Sequence, residues 1–243
     1  MRTTDQAIST RDRALVDYRT RLFAVGLSVA ALFHLAGNPR PPWIPVTGLF
    51  LVVQLAVAAA AVAVLTSRRP RAALGVLCAL IPLSAWLEAP VVGNHWVLAA
   101  AISLCYVLAE LAGWRRDPGS GDDDAGPWSR FAPAARLSVV IAYGFAAFAK
   151  FNTDFFDPGT SCTVFYHDQL VRSWGLAGLS SAGRPALGMV VAVAAAITEL
   201  LVVVLLVGRR TRRYGLLLAL PFHWVLALDW GQHFWDFSSV LFV

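Results

Sequence analysis

Seven runs of apolar residues, at 22–36, 46–65, 72–87, 96–112, 137–151, 186–207 and 214–228, constrain this 243-residue chain more than any motif in it. A helix that crosses a bilayer needs about 20 residues, with roughly 17 as the short limit. The first, third, fifth and seventh runs must therefore borrow flanking residues such as Tyr18 and Phe155. A composition of 58% hydrophobic and 14% charged residues lies far from the soluble balance and agrees with that reading. The expected fold is all-α, a polytopic transmembrane bundle of seven to eight helices over residues 21–243, preceded by a polar segment at 1–20. Residues 234–243 turn apolar again, as if an eighth helix began there and the chain were truncated at Val243.

Arginine placement sets an expected orientation, because basic residues in short loops are retained on the cytoplasmic side. Arg11, Arg13, Arg19 and Arg21 precede the first run, and Arg68, Arg69 and Arg71 follow the second. Arg115, Arg116, Arg130 and Arg136 follow the fourth, and Arg209, Arg210, Arg212 and Arg213 the sixth. The alternate loops carry Arg40, no basic residue, and Arg172 with Arg184. The expectation is a multi-pass protein of the cell membrane with a cytoplasmic N-terminus, a flexible cytoplasmic loop at 115–130 and a long outer loop at 152–185. These arginines account for the net charge of +5, so no nucleic-acid partner is implied. Residues 1–20 lack the apolar core and small-residue cleavage site of a signal peptide.

Nineteen of the twenty basic residues are arginine, and the single lysine is Lys150, at the end of the fifth run. Arginine stays charged almost anywhere, whereas a poorly hydrated lysine can lose its proton and act as a base or nucleophile. A lysine that snorkels its ammonium to the interface is the structural alternative. The three glutamates, Glu88, Glu110 and Glu199, all fall within or at the edge of apolar runs. Ionisable groups in hydrocarbon are costly and face a bundle interior or a cavity. Glu199 and His223 lie about 12 and 13 Å from the inner ends of adjacent runs, counted at 1.5 Å per residue, which predicts a contact between them. That contact would orient a reactive imidazole or serve as an interhelical hydrogen bond.

On the expected topology, His34, Glu88, His95, Lys150, Asp229 and His233 gather at the outer helix ends, with Trp43, Trp86, Trp96, Trp224, Trp230 and Trp235 around them. His34, His95, Trp224 and His233 are the candidates for holding an apolar molecule with a polar head. An interfacial tryptophan belt is the alternative for the aromatics. His223, Asp229 and His233 offer metal-ligand types without a recognised spacing, and no metal is expected. Within the long outer loop, residues 163–174 space their apolar side chains as an amphipathic surface helix, a lid over such a pocket. His167 and Asp168, being adjacent on that helix, are not expected to face each other. Cys78 and Cys105 read as buried thiols, and Cys162 as free or intermolecular.

The segment Tyr143-Gly144-Phe145-Ala146-Ala147-Phe148-Ala149-Lys150-Phe151-Asn152-Thr153-Asp154-Phe155-Phe156 resembles the helix-to-loop motif of the HTTM domain, the membrane domain shared with vitamin K-dependent gamma-carboxylases. Glu199, the turn at 209–213 and Phe222-His223 are similar in order and spacing to the second half of that domain. The resemblance implies that Lys150 deprotonates a quinol such as a vitamin K hydroquinone, with Glu199 and His223 supporting the pocket. It also implies a bilayer-embedded protein with a quinone-type lipid as cofactor. The carboxylases carry a large extra-membrane portion after the bundle, which this chain does not show, so a separately encoded protein subunit is a possible partner. Two functions stay open: a carboxylase-like or quinol-dependent oxidoreductase, and a non-catalytic membrane partner or small-solute carrier with a structural Glu/His pair.

Overall fold

A computed structural model of the chain describes residues 10–37, 47–68, 70–89, 94–114 and 126–227. Among these the regular structure is helical: α1 Thr10–Gly37, α2 Gly48–Thr66, α3 Pro70–Glu88, α4 Asn94–Trp114, α5 Gly126–Ala149, α6 Thr153–Phe156, α7 Cys162–Ser173, α8 Pro185–Val207 and α9 Arg212–Ala227. Six of them, α1 to α5 and α8, are long and apolar enough to cross a membrane. The protein is therefore a multi-pass helical membrane protein. The seventh run forms α9, with 16 described residues. The segment at 234–243 lies outside the described residues.

Two expected polar segments are helical in part. Residues 10–20 form the first turns of α1, since no proline or glycine interrupts the chain between Thr10 and the apolar run. Residues 126–130 of the loop expected at 115–130 are already helical, with Pro127 in the first turn of α5, where its fixed φ suits a helix start.

The chain divides into two compact units, with the boundary inside α5 between Ser138 and Val139. In the first unit α2 packs on α1 and α3, and α3 on α4. The contact faces repeat at helical spacing: Phe23, Leu27 and Ala31 on α1; Val53, Val57, Ala61 and Val64 on α2; Leu74, Leu77, Cys78 and Ile81 on α3. Alanines let helix backbones approach closely where lipid tails offer no hydrophobic penalty to escape. The opposite faces, with Leu49, Val52 and Leu55 on α2 for example, are exposed and apolar, as lipid contact requires.

In the second unit one face of α8 organises the packing. Gly188, Ala192, Ala196, Val202 and Leu206 are buried along it. Val202 and Leu206 pack with Tyr143 of α5 and Ala219 of α9. Ala192 and Ala196 receive Phe155 and Val164. Gly188 is approached so closely by Pro158 that a Cβ there would meet the proline ring at 2.8 Å. The segment after α5 thus lies along α8 instead of leaving the bundle as an external loop.

The surface helix expected at 163–174 is α7, which buries Val164 and Val171 while Phe165 and Trp174 stay exposed. Asp168 anchors the following turn: its carboxylate accepts from the Ser181 amide at 2.6 Å and the Ser181 hydroxyl at 2.7 Å. His167 Nδ1 also reaches it at 3.3 Å, so the adjacent pair does meet, because the imidazole folds back along the helix surface. Arg184 closes the same turn through the carbonyls of Gly178 and Ser180. Burial acts to raise the Asp168 carboxyl, but hydrogen bonds from Ser181, Ser180 and His167 hold it below the usual 3.8.

Two outcomes follow. Gly188→Ala must displace Pro158 and is expected to lower stability by about 1–3 kcal/mol, read as a fall in the thermal unfolding midpoint in detergent. The lowered Asp168 carboxyl stabilises the turn above its unfolded-state pKa, and this is lost as pH falls through the lower folded value. Exchange protection of the Ser181 amide should therefore be constant above the usual carboxylate range and collapse below it, and Asp168→Asn should weaken it at neutral pH.

Candidate functional site

The charged cluster of the second unit forms where α5 stops. Lys150 Nζ lies 2.6 Å from Glu199 Oε2, with both side chains more than four-fifths buried. Its ammonium also sits 5.5 Å from the Phe155 ring centre, over its face. Asn152 explains why the helix ends there. Its side-chain NH2 donates to the Ala149 carbonyl at 2.6 Å, closing α5, and its carbonyl accepts from the Phe155 amide at 2.8 Å, capping α6.

The ion pair fixes the level of Lys150 along α8. Glu199 lies fourteen residues after Pro185 and eight before Val207, about 21 and 12 Å along α8. Lys150 shares that depth. α5 ends at this level of α8, where Asn152 closes it, and the small side chains of α8 accommodate the segment that follows.

About two helix turns earlier on α5, in the same unit, the Tyr143 phenol and His223 Nε2 meet at 2.5 Å. Both are buried. The expected Glu199–His223 contact is replaced by two pairs, Lys150–Glu199 and Tyr143–His223. Lys150 takes Glu199 because α5 ends at that level of α8, and Tyr143, seven residues earlier and about 10 Å away along α5, meets His223 on α9.

A second polar cluster closes one end of the first unit. Glu88, the last residue of α3, is approached by His34 Nε2 at 3.0 and 3.1 Å, and accepts from Gln54 at 2.9 Å and the Ser84 hydroxyl at 3.0 Å. Trp96 donates its indole NH to Ser84 at 3.2 Å and stacks on His34 at 3.9 Å between ring centres, with 11° between planes. His95 meets His34 edge-on at 5.7 Å. The expected gathering of His34, Glu88 and His95 is therefore real, and four helices contribute to it. Gln54 and Ser84 were not anticipated, although a lone amide and a hydroxyl inside apolar runs are themselves a signal of interhelical bonding.

The other expected site residues are dispersed. Trp224 is exposed at 59%, whereas Trp96 is fully buried against His34 and belongs to no interfacial belt. Asp229 and His233 lie outside the described residues, as do Trp43, Trp230 and Trp235. Cys162 is an exposed free thiol, Cys78 a buried one and Cys105 half-buried. No group of three or more metal-ligating side chains occurs among the described residues.

No family model, curated protein or solved structure matches the chain.

Glu88→Ala removes the carboxylate on which His34, Gln54 and Ser84 converge, and leaves only the Ser84 hydroxyl as an acceptor for Gln54 and Trp96. It is expected to cost about 3–5 kcal/mol, the usual penalty for removing one partner of a buried pair. His34→Ala and Glu88→Ala should be strongly non-additive in a double-mutant cycle read by thermal unfolding.

Proposed function

We propose that this multi-pass membrane protein is an HTTM-like, carboxylase-like or quinol-dependent oxidoreductase, in which Lys150 accepts a proton from a lipid-soluble, weakly acidic substrate of the quinol type. The observation that carries the reading is the largely buried Lys150–Glu199 pair beside the apolar helix α8, with Tyr143–His223 in the same unit. Charged groups in hydrocarbon are retained where they act. The resemblance of residues 143–156 to the HTTM motif supplies the chemistry by analogy.

In this reading the pair exchanges one proton across its 2.6 Å contact, as ammonium with carboxylate or as amine with carboxylic acid. The neutral amine is the form that takes a phenolic proton. Glu199 holds and orients Lys150, and Tyr143 with His223 passes the proton onward. Phe145, Phe148 and Phe151, neighbours of Lys150 in sequence, are 71%, 75% and 60% exposed, an apolar aromatic surface for lipid contact. The proposed cofactor is a vitamin K-type hydroquinone, whose phenolic hydroxyl would meet Lys150 and give up its proton there. The His34, Glu88 and His95 cluster has its carboxylate saturated by internal donors, so we assign it to holding the first unit together and not to the cofactor. A cell-membrane location with the N-terminus cytoplasmic, and a separately encoded substrate-presenting subunit, complete the proposal.

The second reading, a small-solute carrier or non-catalytic partner, rests on the same ion pair, because a Lys–Glu pair bridging α5 and α8 also serves as an interhelical tie or a proton relay. One experiment separates the two. Protein purified in mild detergent is extracted for bound lipid, analysed by mass spectrometry and assayed for quinol turnover beside Lys150→Arg, which keeps the charge and withholds a neutral amine. A stoichiometric quinone with turnover abolished in Lys150→Arg is the expected result. Equal turnover in the variant sinks the lysine base, and solute flux in proteoliposomes without turnover favours the carrier.

A further inference from the structure

We infer that a water-filled vestibule descends from the level of α7 to Lys150 within the second unit, so that the buried ion pair exchanges protons with an aqueous phase. The argument is one of register along α8. Lys150 contacts Glu199, Phe155 packs at Ala192 and Ala196, and Pro158 and Val164 reach Gly188 in the first turn. Residues 151–164 therefore climb α8 from mid-span to its start.

Asn152, Thr153 and Asp154 fall between the levels of Glu199 and Ala196, about 17–21 Å below Pro185 along the helix axis. All three are exposed. Phe155 alone of this short stretch turns inward to α8. An exposed carboxylate and an interrupted helix at this depth are incompatible with lipid contact: hydrocarbon tolerates irregular backbone only inside protein or beside a water-filled cavity. Water is the environment that satisfies both.

The upper end of the route is visible as a groove of about 910 Å³ along α7, lined by Gly159, Thr160, Ser161, Tyr166, Gln169 and Arg172 among others. The Thr160 hydroxyl donates to the Asp154 carbonyl at 2.7 Å, which ties the rim of the groove to the exposed stretch beside Lys150. The inference depends on the chain spanning a membrane and not on Lys150 being a base, so failure of the quinol assay leaves it standing.

The test is cysteine accessibility in lipid nanodiscs. The three native cysteines are replaced by serine, and single cysteines are introduced as Thr153→Cys and, at the same level on the exposed face of α8, Ile197→Cys. A membrane-impermeant charged methanethiosulfonate is the probe, with modification read by intact mass. Because the reacting species is the thiolate, which forms in water and not in hydrocarbon, Thr153→Cys is expected to react at least about tenfold faster than Ile197→Cys. Equal rates, slow or fast, overturn the vestibule: slow means that no water reaches Thr153, and fast means that this level of α8 lies outside the bilayer. Asp154→Cys is a second reporter should Thr153→Cys fail to fold.

Discussion

A carboxylate inside an apolar helix bundle has to be answered by donors from other helices, and this requirement fixes the arrangement of both units. Glu88 draws α1 and α2 to the end of α3 through His34 and Gln54, with Ser84 joining Trp96 of α4 to the same centre. Glu199 holds the end of α5 against the middle of α8. Lipid-facing surfaces provide little that distinguishes one rotation of a helix from another. The polar contacts are directional, and each is satisfied in only one register.

The two centres differ in what they leave available. Around Glu88 a histidine, an amide and a hydroxyl converge on one carboxylate, and a closed network of this kind favours specificity of packing over reactivity. Around Glu199 a single lysine makes the pairing, the backbone beside it is broken, and a phenol–imidazole pair stands in the same unit. Proton transfer needs groups that can change partners, and the second arrangement has them.

The helical spans were legible because apolar runs report burial in lipid directly, and 46–65 and 186–207 coincide with α2 and α8 to within two residues. The gathering of His34, Glu88 and His95 was legible because all three sit at the ends of such runs. What escaped was the pairing. Counting from run ends matched Glu199 with His223, since an apolar run does not show which neighbouring side chain reaches a buried carboxylate. The missing signals were local: Asn152 three residues before Phe155 is a helix cap, and Gly188, Ala192 and Ala196 are a stripe of small residues that asks for something to fill it. Gln54 and Ser84 were overlooked for a related reason, since a neutral polar residue inside an apolar run does not stand out in a search for charges.

Asn152 uses the two ends of its amide for opposite tasks, one to end a helix and the other to begin the next. Aspartate retains the acceptor but lacks the donor, and serine is too short to reach both ways. The joint between α5 and α6 thus has almost no chemical synonym among the twenty amino acids. A change at a lipid-facing leucine or valine leaves this joint untouched, whereas almost any change at Asn152 removes one of its two bonds.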